Sequence, residues 1–252
     1  MNQSVAIVTG AASGIGRAIA RALAQRGDRV VVADIDTKSG QAAADETGAR
    51  FIYADLSLRE DCQQLVTETL ARYRRIDILV NNAGFQHVES VDTFPPEIWD
   101  KMIAVMLTAP FLLTQNVWQT MKSNGWGRII NISSIHGRVA SPFKCAYVTA
   151  KHGLIGFTRS AALEGGAHGI TVNAICPGYV RTPLVEQQIA DQARTNQLTH
   201  DEVLEQVMLA PAAIKKLIRP EEIASLVVYL CSEEAGVVTG ADWAVDLGWT
   251  AR

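Results

Sequence analysis

The sequence predicts an α/β fold: a single domain built on a doubly wound parallel sheet with helices on both faces. Three observations carry that expectation. Short, nearly continuous apolar runs alternate with longer amphipathic segments, the pattern of strands buried on both faces and the helices that cover them. No repeat or low-complexity stretch breaks the rhythm. The 252 residues, 48% hydrophobic and 19% charged, suit one globular unit with a large core.

The strands are expected at SVAIVTG (4–10), RVVVADI (29–35), ARFIYADL (49–56), IDILVNNAG (76–84), GRIINISS (127–134) and GITVNAICPG (169–178). A late strand is expected in ADWAVDLG (241–248). Helical periodicity fills 14–26, 37–47, 58–74, 95–122, 145–164 and 220–232 between them. In such a sheet, ligands sit beyond the carboxyl ends of the strands. The stretch 182–220 has no strand pattern and reads as one or two helices between prolines. Following a strand end, it is placed to act as a lid over a substrate site; the plainer alternative is a peripheral helical pair.

Composition narrows the partners. A net charge of −3 gives no electrostatic footprint for nucleic acid or an anionic membrane. No apolar run approaches the roughly 20 residues that span a bilayer, and the N-terminus lacks the pattern of a signal peptide, so a cytoplasmic location is expected. Cys62, Cys145, Cys176 and Cys231 are scattered, with no CxxC pair, and are expected to be reduced core or pocket-wall residues. His87, His152, His168 and His200 show no ligand spacing, so no metal is expected.

The segment Thr9-Gly10-Ala11-Ala12-Ser13-Gly14-Ile15-Gly16 leaves the first strand and opens the first helix. Glycines there let the backbone approach a pyrophosphate, whose charge the helix N-terminus favours. A glycine-rich turn alone is weak grounds, because tight turns use glycine for steric reasons. Asp34 ends the second strand 18 residues after Gly16, where a carboxylate reaches both ribose hydroxyls of an adenosine. It would repel a 2′-phosphate, and Ile35 and Asp36 offer no compensating cation, so the expected cofactor is NAD rather than NADP. A capping or turn role is the alternative for Asp34.

The glycine loop at 9–16, Asn81-Asn82-Ala83-Gly84, Ser134, Tyr147-xxx-Lys151 and Pro177-Gly178, in this order, resemble the short-chain dehydrogenase/reductase family over essentially the whole chain. The resemblance implies a Rossmann-type fold and a nicotinamide cofactor held by Thr9, Gly10, Ser13, Gly14, Ile15, Gly16, Ala83, Gly84, Tyr147, Lys151, Pro177 and Gly178, with Lys151 at the nicotinamide ribose. It further implies that Asp55 and Leu56 lie at the adenine, Asn81 at the adenosine ribose, and Val180 and Thr182 at the nicotinamide amide. Within the family, FQHVESVDTFP, SSIHGRVASPFKCAYVTAKHG, ICPGYVRTPLVEQQ and GWTAR are similar to 3-hydroxybutyrate dehydrogenases. That similarity implies oxidation of the D enantiomer to acetoacetate, and assembly as a homotetramer.

Ser134, Tyr147 and Lys151 form the expected catalytic set. Tyr147 and Lys151 stand one helical turn apart and share a face. Lowering a phenol pKa from about 10 to about 7 takes roughly 4 kcal/mol. A positive charge about 4 Å away supplies about that at an effective dielectric of 20. Ser134, at a strand end, is placed to hold the substrate oxygen while Tyr147 takes its proton.

Lys144, one turn before Tyr147, joins His136, Gln86 and Gln188 as four donors suited to a carboxylate. The resemblance assigns them to the substrate carboxylate. Singly, each fits a solvated residue. Tyr179 is expected to limit substrate length. Two places depart from the family: Met106 stands where an asparagine is usual, and the chain end has Leu247-Gly248 in place of two glycines. Open alternatives are a dehydrogenase of another hydroxy acid or sugar acid, a 3-oxoacyl-carrier-protein reductase, and a nucleotide-binding regulator without chemistry.

Overall fold

The protein is described by a computed structural model that covers residues 3–196 and 198–251. Seven parallel strands form one sheet in the order β3-β2-β1-β4-β5-β6-β7. They are β1 Val5–Thr9, β2 Arg29–Asp34, β3 Arg50–Tyr53, β4 Ile78–Asn81, β5 Gly127–Ile132, β6 Ile170–Pro177 and β7 Asp242–Val245. Each lies within its expected segment. The order reverses between β1 and β4, and the crevice at that switch point is where such sheets bind ligands.

Alternation along each strand divides the core between the two faces. Ala6 and Val8 of β1 pack with Ile19 and Leu23 of α1 (Gly14–Arg26) and with Ile223 and Val227 of α9 (Pro220–Leu230). Ile7, between them, packs on the other face with Leu65 of α3 (Arg59–Tyr73), Leu113 of α5 (Ala109–Asn124) and Ala161 of α6 (Cys145–Gly165). The short helix α2 (Thr37–Thr47) closes the β2–β3 crossover. Cys62, Cys176 and Cys231 are buried as free thiols, and Cys145 is half-buried.

One expected helix is divided. The stretch 95–122 folds as α4 (Pro96–Ile103), a π-helical turn over Ala104–Thr108, and α5. Pro110 explains the change, because it has no N–H to return to the carbonyl of Met106 four residues back. The ladder shifts, and Ala109 N–H bonds to Ala104 O instead.

The strandless region folds as α7 (Pro183–Asn196) and α8 (His200–Glu202), the latter running into a π-helical stretch Val203–Met208. Val185, Ile189, Val203, Met208 and Leu209 make a small core of their own, with Tyr179 and Trp249 packed against it. A single bridge, Val180 to Ile218, pins its two ends together. No helix among the described residues is long and apolar enough to cross a membrane.

Candidate active site

The carboxyl ends of β1, β2, β4, β5 and β6 open into one cleft of about 630 Å³. Its dinucleotide half begins at the glycine loop. Gly10 and Gly14 adopt left-handed backbone, φ +62° and +53°. A Cβ at Gly10 would sit 2.8 Å from Ala83 Cα, and one at Gly16 would lie 2.3 Å from Gly10 O. Those glycines are required for close approach. Ser13 is the N-cap of α1, yet its side chain makes no capping bond and the first turn has no acid. The helix N-terminus therefore faces the cleft with its positive end unanswered by a side chain, which suits a pyrophosphate.

Asp34 lines the same half of the cleft. Its Oδ2 accepts from Ala12 N–H at 2.9 Å and its Oδ1 from Asp36 N–H at 3.0 Å, so the loop backbone fixes the carboxylate. Asp55 and Leu56 lie beside it on the wall. Ser57 donates to Asp55 through side chain and backbone and holds that carboxyl below its usual range, with Lys101 adding attraction. Ser13, Ile15, Ala83, Gly84, Pro177, Gly178, Val180 and Thr182 also line the cleft. The residues present fit a nicotinamide dinucleotide: a glycine cradle, an open helix terminus and a fixed carboxylate.

Three of the expected cofactor residues stand behind the wall. Thr9 is buried, and its Oγ1 accepts from Asn82 N–H (3.0 Å) and Ala83 N–H (3.1 Å). Gly16 gives room for that packing. Asn81 is turned into the sheet, where its Nδ2 donates to Asn131 Oδ1 at 2.8 Å. Successive strand residues face opposite sides, so it is Asn82 that reaches the cleft, its Nδ2 tying Thr9 O (2.8 Å) and Gly10 O (3.1 Å) to β4. Alternation was the signal that could have separated the two asparagines. Ile98, Lys101 and Val105 were also missed; they line the cleft at helical spacing i, i+3, i+7 from α4 into the π-turn.

In the reacting half, Ser134, Tyr147 and Lys151 meet. Lys151 Nζ lies 5.6 Å from the Tyr147 ring centroid and donates to Ile132 O at 2.7 Å. The sequence leads one to expect a phenol lowered by this ammonium. In the protein alone the balance is different: part of Tyr147 opens to the cleft, but burial of its phenol pushes it above its ordinary range, and the hydrogen bond with Ser134 opposes that rise. Burial likewise brings Lys151 down to about 8. Met106 packs beside this pair, its Sδ 3.1 Å from where a Gly84 Cβ would stand.

The four expected carboxylate donors converge on the same cleft. His136 sits in a 3₁₀ turn after β5, where the Ser134 hydroxyl accepts its backbone N–H at 3.1 Å. Lys144 is the N-cap of α6 rather than part of it, and places Nζ 3.5 Å from His136 Nε2. Burial, with the Lys144 charge adding to it, lowers His136 to about 4, so its imidazole is neutral at physiological pH. Gln188 on α7 donates Nε2 to Gln86 Oε1 at 2.9 Å, linking the helical cover to the loop after β4. Gln86 Nε2 is buried and makes no hydrogen bond among the described residues. A donor held that way is ready for an acceptor from a ligand. Tyr179 lines the cleft too, its phenol raised by burial. Among the described residues no group of His, Cys, Asp or Glu gathers as metal ligands.

Comparison with known proteins bears on this geometry. Residues 10–250 match the family described as Enoyl-(Acyl carrier protein) reductase. The chain is 46% identical to D-beta-hydroxybutyrate dehydrogenase of Rhizobium meliloti, over 98% of each chain. It is 42% identical to the protein of the same name in Cupriavidus necator, over the full length of both. It is also 38% identical to acetoacetyl-CoA reductase of Shinella zoogloeoides, over 94% of each. Among solved structures, a variant of actinorhodin polyketide ketoreductase with NADPH superposes with a TM-score of 0.94 at 32% identity, covering 100% of this chain and 98% of the other.

Proposed function

The chain belongs to the short-chain dehydrogenase/reductase family and is an oxidoreductase of that kind, and from that premise we propose that it oxidises D-3-hydroxybutyrate reversibly to acetoacetate with NAD. The observation that carries the reading is the buried Gln86 Nε2, without a partner among the described residues, on a residue that lines the cleft together with Lys144, His136, Gln188 and Tyr147. A small substrate with a carboxylate at one end and a secondary alcohol at the other satisfies both halves at once. An acetoacetyl thioester offers no carboxylate to that cluster.

The dinucleotide, when bound, supplies a two-electron acceptor for the carbon that carries the substrate oxygen. This chain's residues do the rest. Lys144 brings one full positive charge to the carboxylate, while neutral His136 and the two glutamines orient it through hydrogen bonds. Ser134 and Tyr147 hold the substrate oxygen, and Tyr147 takes its proton. Lys151 stays close enough to favour the phenolate, its own ammonium steadied by Ile132 O. Asp34, fixed by Ala12 and Asp36 amides with no cation on either neighbour, favours ribose hydroxyls over a 2′-phosphate.

The test follows absorbance at the reduced-nicotinamide band with the purified protein. D-3-hydroxybutyrate with NAD should turn over; the L enantiomer, and NADP in place of NAD, should be poor. Lys144→Ala should raise KM for 3-hydroxybutyrate by about tenfold or more while NAD affinity stays within about twofold. Faster turnover of acetoacetyl-CoA with NADPH than of the acid pair would overturn the assignment.

A further inference from the structure

Three described non-glycine residues have left-handed backbone: Arg74 at φ +61°, Phe143 at +63° and Leu247 at +61°. Arg74 ends a helix, an ordinary place for that conformation. Leu247 lies inside a turn closed by Asp246, whose Oδ1 accepts from Gly248 N–H. Phe143 ends no helix. It precedes the N-cap of α6, and the residue is 58% exposed, so packing of the side chain does not explain its backbone. A bulky residue at positive φ is strained, and strain of this kind persists only where the surroundings hold it.

The residue stands in a turn with Pro142, and a long-range hydrogen bond anchors that turn: Glu89 N–H donates to Phe143 O at 3.0 Å. The chain then passes through Lys144 at φ −129°, ψ 33°, neither helical nor extended, and the ammonium arrives 3.5 Å from His136 Nε2. Glu89 is three residues beyond Gln86. One bond therefore ties the segment that carries Gln86 to the segment that carries Lys144. We propose that Phe143 is a positioning residue, its left-handed backbone clasped by Glu89 so that Lys144 and Gln86 stand at the spacing a substrate carboxylate needs. This rests on the carboxylate reading of the site given above.

The test separates backbone from side chain. Glycine and asparagine accept left-handed φ, whereas a β-branched residue resists it. Phe143→Gly and Phe143→Asn should keep KM for D-3-hydroxybutyrate within about threefold of the parent. Phe143→Val should raise it about tenfold or more, with kcat and NAD affinity within about twofold. Glu89→Pro removes the donor without touching residue 143; it should behave like Phe143→Val and carries the test if the valine variant does not fold. A second readout needs no substrate: the rate at which acetic anhydride labels Lys144, followed by mass spectrometry. That rate should rise about threefold or more in Phe143→Val and Glu89→Pro, as the half-buried amine is released, and stay at the parent value in the glycine and asparagine variants. Unchanged labelling in Phe143→Val and Glu89→Pro sinks the clasp. So does a loss in Phe143→Gly equal to that in Phe143→Val. If the parent does not oxidise 3-hydroxybutyrate, the functional reading fails, and the labelling rates still decide whether Phe143 positions Lys144.

Discussion

His136 shows how one buried side chain couples the site to stability. Its folded pKa of about 4 lies below the ordinary 6.5, because burial and the facing Lys144 both disfavour the imidazolium. Between those values the unfolded chain binds a proton that the folded chain does not. Stability therefore falls as pH drops from 6.5 through 4, by about 3 kcal/mol at most for this group. For a domain of this size that corresponds to a melting temperature lower by about 5–10 °C. Scanning Tm against pH should give a shallower acid slope in His136→Asn than in the parent; equal slopes would mean that His136 is solvated. The residue types were legible in the sequence, but these charge states were not. Tyr147 and Lys151 share a helical face by spacing alone, yet the depth at which they sit, and hence the upward push on the phenol, is set by how β5, β6 and α6 enclose them.

The π-helical turn over Ala104–Thr108 links chain chemistry to site shape at the scale of an element. Periodicity runs through it unbroken, since Met102, Met106 and Leu113 all point to the core, and so the sequence reads as one helix. Pro110 was the available signal. Met106 is 1% exposed and packs with Met102, Ala146 and Ala150 beside the Gly84 and Lys151 positions. An asparagine amide there would lose thioether packing and bury polar atoms, costing about 1–3 kcal/mol. Met106→Asn should therefore lower Tm by several degrees and change turnover by less than about tenfold, because the side chain touches neither the transferred proton nor the carboxylate. A gain of several orders of magnitude would show that the methionine cripples the native site. The helical cover follows the same logic. Its helices were expected from prolines and the lack of a strand pattern, whereas the Gln188 to Gln86 bond, 102 residues apart in sequence, follows only from the folded chain.

Across the whole molecule, the surface carries apolar side chains that a lone chain leaves in water: Leu163 at 88%, Val237 at 93% and Phe111 at 44% exposure. The family resemblance implies four subunits, and these positions on α5, α6 and the approach to β7 are where such contacts would relieve that exposure. Light scattering at micromolar concentration should give a mass four times that of the chain; a monomer mass would leave the exposed patches unexplained and remove the tetramer from the reading.

By itself the sequence determined the sheet, its seven strands and the order of the motifs, because alternation, helical period and glycine placement are local properties that neighbouring residues settle among themselves. Most of the residues it singled out line the cleft, although Thr9, Gly16 and Asn81 stand behind its wall. Only the tertiary structure decided that burial outweighs the Ser134 hydrogen bond at the phenol, that Gln188 meets Gln86, and that Glu89 N–H meets Phe143 O beside Lys144. Each of these depends on what a distant segment places opposite a side chain. Burial and long-range hydrogen bonds have no counterpart in local spacing.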